Sequence, residues 1–193
     1  MVILQLLEER ILKDGEILPG NVLKVDSFIN HQMDVAFISK LCQEFYRLYK
    51  DSNVTKIITI EASGIGIECL AALQFNVPMV FAKKSKSSNI SDNFYCCDVQ
   101  SYTHGTTNKV IISKEFINPD DRVLLIDDFL ANGKALLGLK TLVEMAGATV
   151  VGAGIVIEKG FQPGGELLRK NGLRVESLAI IKSMSVEDGI SFI

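Results

Sequence analysis

The sequence contains no tryptophan, two histidines (His31 and His104), four prolines and four cysteines in 193 residues. The cysteines stand at 42, 69, 96 and 97, and no two have C-x-x-C spacing. So few ligands in that pattern argue against a structural zinc site. The longest mostly apolar stretch, residues 146–157, contains three glycines. It falls short of the roughly 20 residues that cross a bilayer. The N-terminus mixes apolar positions with Glu8, Glu9 and Arg10 and lacks the basic start and small-residue cleavage site of a signal peptide. A basic excess is missing too. Twenty Lys and Arg face 23 Asp and Glu, for a net charge of −3 and a pI near 5.5. That argues against a dedicated nucleic-acid binder. The expectation is a protein of the reducing cytoplasm, with neither membrane nor nucleic acid as partner.

What is present is an ordinary globular composition, 48% apolar and 22% charged. The length suits one domain over residues 1–193, large enough to hide about 70% of its unfolded surface. Apolar periodicity predicts helices at 1–13, 35–49, 65–75, 133–146 and 165–171. Asp34 can cap the second of these, and Gly147 and Gly172 end the last two. Strands are predicted at 56–60, 79–82, 94–102, 109–113, 122–126, 150–157, 174–183 and 190–193, with a short extended piece at 21–25. Residues 150–157 are almost continuously apolar, as in a parallel strand covered on both faces. Strands separated by single helices predict an α/β fold with a mainly parallel twisted sheet flanked by helices.

Ligands of such sheets bind at the carboxyl ends of the strands. Four segments lie there: 61–66, 83–93, 127–135 and 158–164, and all carry glycines or charges. The third is the most informative. R-V-L-L-I-D-D-F-L-A-N-G-K-A delivers Asp127 and Asp128 to the end of an apolar strand, then opens a helix with a small Gly-containing turn. Backbone N–H groups at a helix start favour a phosphate, and Gly133 allows close approach. Two carboxylates accept hydrogen bonds from vicinal hydroxyls or hold hydrated Mg²⁺. Phosphate beside a diol describes a ribose 5-phosphate. A single Asp before a helix is more often a cap, and one of the pair can still serve as one.

This segment resembles the phosphoribosyl diphosphate (PRPP) signature of the type I phosphoribosyltransferases. It departs from the common form: Asn132 replaces the first hydroxyl residue of the loop and Ala135 the last. Backbone amides must then carry more of the phosphate binding. L-I-D-D-F-L-A-N-G-K-A, K-V-D-S-F-I-N-H-Q and I-V-I-E-K-G-F-Q-P-G together are similar to the xanthine phosphoribosyltransferases of bacterial purine salvage, and the likeness runs over essentially the whole chain.

The resemblance implies transfer of the phosphoribosyl group from PRPP to N9 of xanthine, with Mg²⁺ accompanying PRPP, in a homodimer. It implies a small hood over the base, built from residues 1–33 and the C-terminal strands. Asp127, Asp128 and Lys84 become the expected catalytic residues. Ala131, Asn132, Gly133, Lys134 and Ala135 would bind the 5′-phosphate. Glu61, Ala62, Ser63 and Gly64 would hold the diphosphate, although E-A-S-G-I-G also reads as a plain strand-to-helix turn. The K-K-S-K-S-S-N-I-S stretch at 83–91 reads as a solvated loop or, by resemblance, as a basic lid, with Tyr102 and His104 nearby. Leu23, Asn30 and Lys159 would contact xanthine, and Phe161 could stack on a flat base. Leu23 as core, Asn30 as a turn residue and Lys159 as a rim lysine with a buried stem remain open alternatives. No activated nucleophile is needed: there is no Ser-His-Asp order and no G-x-S-x-G. Two rivals remain, a PRPP-sensing regulator on the same fold, which would need a nucleic-acid-binding element, and a transferase preferring another purine base.

Overall fold

Hydrophobic periodicity and capping set the helices first. Helix α1 (Ile3–Asp14) ends at Gly15, and a hairpin follows, β1 (Glu16–Leu18) and β2 (Val22–Lys24). A single π-helical turn, Asp26–Asn30, leads to α2 (Val35–Tyr49). As expected, the Asp34 carboxylate accepts the Phe37 N–H at 3.1 Å and starts this helix. Its buried stripe is Ile38, Leu41, Cys42, Phe45 and Tyr49. Then come β3 (Lys56–Ile60), α3 (Gly64–Phe75), β4 (Met79–Ser85), β5 (Phe94–Gln100) and β6 (Thr107–Ser113). The chain closes with β7 (Arg122–Leu130), α4 (Lys134–Met145), β8 (Thr149–Lys159), α5 (Gly164–Lys170), β9 (Val175–Ser185) and β10 (Gly189–Phe192). This computed structural model describes residues 3–85, 92–100 and 107–193.

Eight strands form one sheet in the order β10-β9-β8-β7-β3-β4-β6-β5. The middle five run parallel, while β10 and the β5–β6 pair are antiparallel at the two edges. One core packs α1, α2 and α3 against one face of the sheet, around Leu7, Ile38, Phe45, Ile67 and Val156. The other packs α4 and α5 against the opposite face, around Ile58, Leu125, Leu139, Ile155 and Leu168. From β3 the chain moves to β4 on one side, and β7 takes the place on its other side. That reversal opens a crevice at the carboxyl ends of β3 and β7.

Several strands run further than their apolar patterns predict. The four-residue expectation at 79–82 becomes β4, because Lys83, Lys84 and Ser85 pair antiparallel with Ile111, Val110 and Lys109. Lys83 and Lys84 are thus strand residues and not the start of a loop. Likewise β7 continues to Leu130 and β8 to Lys159, each zipped to its neighbour through Leu130↔Glu158 and Lys159↔Ile181. The extended piece expected at 21–25 is one arm of a hairpin whose other arm, β1, has no apolar alternation long enough to mark it. Residues 86–91, expected as the lid, lie outside the described residues, as do Tyr102 and His104.

Candidate active site

The crevice holds a cleft of about 200 Å³. Its lining brings together Ile60 at the end of β3, Lys84 from β4, Asp127, Phe129 and Leu130 from β7, and the turn Ala131–Asn132–Gly133 with Ala135. Asp127 and Asp128 are each only 7% exposed. The Asp128 N–H donates to Asp127 Oδ1 at 3.0 Å. Burial first, then the neighbouring Asp128 carboxylate, push Asp127 well above the ordinary carboxylate range, and Lys84 pulls it back only in part. Two like charges this deep favour holding one proton until a hydroxyl or a cation takes its place.

Beyond the pair, Gly133 adopts φ +76°, a left-handed conformation natural to glycine, and α4 starts at the next residue. Asn132 Oδ1 accepts the Lys134 N–H at 3.0 Å. The Asn132 side chain thus closes the turn itself and leaves the other amides of the helix start for a ligand. Of the residues expected here, Lys134 opens α4 and is exposed, outside the cleft lining.

On the neighbouring strand, Glu61, Ala62 and Ser63 form the turn between β3 and α3, beginning where Ile60 meets the cleft. Glu61 Oε1 accepts the Lys84 N–H at 2.6 Å and joins that turn to β4. Gly64 has no room for a side chain, since a Cβ there would overlap the Thr59 hydroxyl. Beneath this turn lies a residue that sequence reasoning passed over. Glu68 of α3 is wholly buried, facing the Thr59 and Val80 backbone without a well-formed hydrogen bond. Burial pushes it up to about 9, so it is neutral at physiological pH.

The residues expected around the base are only partly gathered. Lys159 ends β8. Its Nζ donates to the Asn21 carbonyl at 2.7 Å and lies 5.6 Å from the centre of the Phe129 ring. Burial lowers its pKa. Phe129, unmarked in the sequence reading, therefore links Lys159 to the cleft; its signal was the aromatic immediately after the acidic pair. Leu23 faces the core and is 5% exposed, the alternative reading of that residue. Asn30 is exposed at the end of the π-helical turn, and Phe161 is exposed in the turn after β8; neither lines the cleft. Glu158, expected on a ligand-facing loop, is instead tied to Arg169 and Ser177.

Among the described residues no group of three or more His, Cys, Asp or Glu could hold a metal ion by itself. The buried Asp127–Asp128 pair still offers the hard oxygen donors that suit Mg²⁺ when substrate and water complete its shell.

A family model described as phosphoribosyl transferase domain matches residues 25–183. The chain belongs to the phosphoribosyl transferase family. A protein of Lachnoclostridium phytofermentans named xanthine phosphoribosyltransferase is 59% identical over 186 residues, covering 96% of each chain. One of the same name from Ruminiclostridium cellulolyticum is 55% identical, covering 94% of this chain and 95% of its own. Among solved structures, adenine phosphoribosyltransferase of Trypanosoma brucei, in complex with AMP, pyrophosphate and ribose 5-phosphate, superposes with a TM-score of 0.75 at 20% identity, covering 95% of this chain and 83% of that one. The Rhodothermus marinus adenine enzyme gives 0.73 at 21%, covering 92% and 97%. At such identity these two speak for the fold alone, and the mainly parallel sheet flanked by helices is the phosphoribosyl transferase architecture.

Proposed function

We propose that this protein transfers the 5-phosphoribosyl group of PRPP to N9 of xanthine, giving xanthosine 5′-monophosphate and pyrophosphate in purine salvage. One observation carries the reading: a single cleft joins a buried carboxylate pair, a glycine turn at a helix start and a lysine, in a chain 59% identical to a protein named for this reaction. Asp127 and Asp128 accept hydrogen bonds from the ribose hydroxyls. The amides of residues 131–135 bind the 5′-phosphate, with the Asn132 side chain holding the turn in shape. The Glu61–Gly64 turn faces the diphosphate, and Lys84 adds positive charge between that turn and Asp127. Asp127 and Asp128 would hold Mg²⁺ arriving with PRPP, and the ion would supply charge neutralisation for the pyrophosphate.

Lys159 donates to the xanthine oxygens in exchange for the Asn21 carbonyl it holds in the free protein. An ammonium has three donors and no acceptor, so it favours an oxopurine over a base presenting an amino group. Catalysis comes from holding two substrates in line and from fixed charge, with no covalent intermediate on the protein. The hood comprises α1, the β1–β2 hairpin and the β9–β10 hairpin; α1 and β1 pack on β9.

The protein works in the cytoplasm, consistent with four free cysteines. No helix among the described residues is long and apolar enough to cross a membrane. It acts as a homodimer, supported by the exposed Phe81 and Phe116 on the rim of an apolar groove of about 750 Å³. Analytical ultracentrifugation checks that state. The deciding experiment for function incubates the protein with Mg²⁺, PRPP and xanthine, guanine, hypoxanthine or adenine separately. Xanthosine monophosphate as the fastest product is expected. PRPP binding without turnover of any base would favour the regulatory reading.

A further inference from the structure

The segment after β8 carries two consecutive glycines, Gly164 and Gly165, and each has a partner that leaves no room for a side chain. A Cβ on Gly164 would run into the Ala131 carbonyl, the Gly133 nitrogen at 2.5 Å and the Asn132 carbonyl carbon at 2.7 Å. The Gly164 N–H donates to that Ala131 carbonyl at 3.0 Å. From the other side, a Cβ on Gly133 would stand 3.2 Å from Gly164 Cα and 3.3 Å from Leu168 Cγ. The start of α5 is thus the backing against which the turn 131–133 rests.

A Cβ on Gly165 would overlap the Glu158 carboxylate, which is the other anchor of α5. Glu158 is 4% exposed and bound on every side. Arg169 Nη1 and Nη2 reach its two oxygens at 2.8 Å each, in a bidentate fork, and Ser177 Oγ donates at 2.5 Å. Arg169 Nη2 also donates to the Val175 carbonyl at 3.3 Å. Three elements, β8, α5 and β9, therefore meet at one carboxylate. The residue after it is Lys159.

We propose that Glu158, Arg169 and Ser177 form a positioning clamp: by locking α5 to β8 and β9 they set the turn 131–133 at a fixed distance from Lys159. The inference rests on the reading of that turn as the phosphate site. The reaction joins the ribose carbon of one substrate to a nitrogen of the other, so the spacing between phosphate turn and base lysine must match the product. Misplacement by about 1 Å can cost on the order of a hundredfold in rate. A side chain fork of fixed geometry sets such a distance better than a flexible point charge. None of the three clamp residues lines the cleft, so each acts through the backbone it holds.

The test measures binding of Mg·PRPP by titration calorimetry, with steady-state kinetics alongside. Wild type, Arg169→Met and Arg169→Lys are compared with Lys56→Met. Lys56 forms a buried ion pair with Asp121 at the opposite end of β3, away from the cleft, and serves as a control for lost stability. Arg169→Met is expected to weaken PRPP binding and raise its KM by roughly tenfold or more. Arg169→Lys, which keeps the charge without the fork, should fall between it and wild type. Lys56→Met should lower the melting temperature and leave PRPP affinity unchanged. If Arg169→Met does not fold, Ser177→Ala removes one charge-assisted bond to Glu158 and should weaken PRPP binding by about threefold or more. Unchanged PRPP affinity in a folded Arg169→Met or Ser177→Ala protein overturns the clamp, as does an equal loss in Lys56→Met. Wild type that fails to bind Mg·PRPP overturns the reading of the phosphate site, and the clamp with it.

Discussion

The ends of β7 and β8 lie side by side, and each presents a buried acid next to a residue proposed to meet substrate. Their chemistry is opposite. Asp127 has a second carboxylate as its neighbour and is pushed above the ordinary range by burial and by that charge. Glu158 is desolvated as well, but the Arg169 guanidinium and the Ser177 hydroxyl overcome burial and hold it below the ordinary range. A satisfied acid is a finished part of the scaffold. An acid crowded by its own kind still needs a cation or hydroxyl groups to complete it. The contrast separates the two roles where exposure cannot, since both residues are below 10% exposed.

The largest effect should come from Asp127→Asn combined with Asp128→Asn. Each lost charged hydrogen bond costs about 1.5–3 kcal/mol, so PRPP use should fall by roughly two to four powers of ten while the fold persists. Circular dichroism and a radiolabelled product assay check both parts. If the double variant turned over normally, the two strand ends would no longer differ in kind.

Lys159→Ala comes next. It should raise the KM for xanthine about tenfold to a few hundredfold and leave that for PRPP nearly unchanged. Kinetics with both substrates varied separate this from a lysine that merely tethers Asn21, whose loss would leave both constants alone.

Glu68→Gln adds a third acid to the comparison. A folded-state pKa of about 9 against the ordinary 4.5 means the native protein holds a proton that the unfolded chain releases. Its contribution is fully present below about 4.5 and is lost as pH rises towards 9. The glutamine variant should therefore match wild type near pH 5 and exceed it by ~1–3 kcal/mol at pH 8, read from urea unfolding.

The smallest effect is expected for Glu158→Gln. Its depressed pKa gives the opposite sign: stability present above the ordinary glutamate range, lost as pH falls through the folded value. The variant should be about 1–2 kcal/mol less stable at pH 7, limited by the solvent around the 40% exposed Arg169 side chain, and the deficit should shrink in acid. A deficit growing in acid would erase the contrast with Asp127.

Much of this site was legible as residue types in order. The adjacent aspartates, the A-N-G turn and the lysine behind the apolar run 150–157 are local statements, and the cleft brings Asp127 and the turn together, with Lys159 beside it through Phe129. Helix α2 was legible down to its cap, because a 3.6-residue stripe and an N-terminal aspartate act within one element. Lys84 was readable as a basic residue in a segment beside the crevice but not as a strand residue. Phe129 was marked only by its place after the acidic pair and Glu68 by nothing, since an aromatic or a glutamate gains meaning from what surrounds it in space.

The sequence by itself determined the alternation of strands and helices, the crevice end of the sheet and the chemistry offered there. Periodicity, capping and turn residues are short-range properties, and a handful of neighbours settles them. Tertiary structure decided where strands stop, because Ser85, Leu130 and Lys159 are held by hydrogen bonds to partners distant in the chain. It also decided which acids are paired: Glu158 meets Arg169 and Ser177 across three elements, while Asp127 has Asp128 against it and Lys84 offsets that charge only in part. Burial and charge pairing are sums over everything nearby in space, and only the folded chain assembles that neighbourhood.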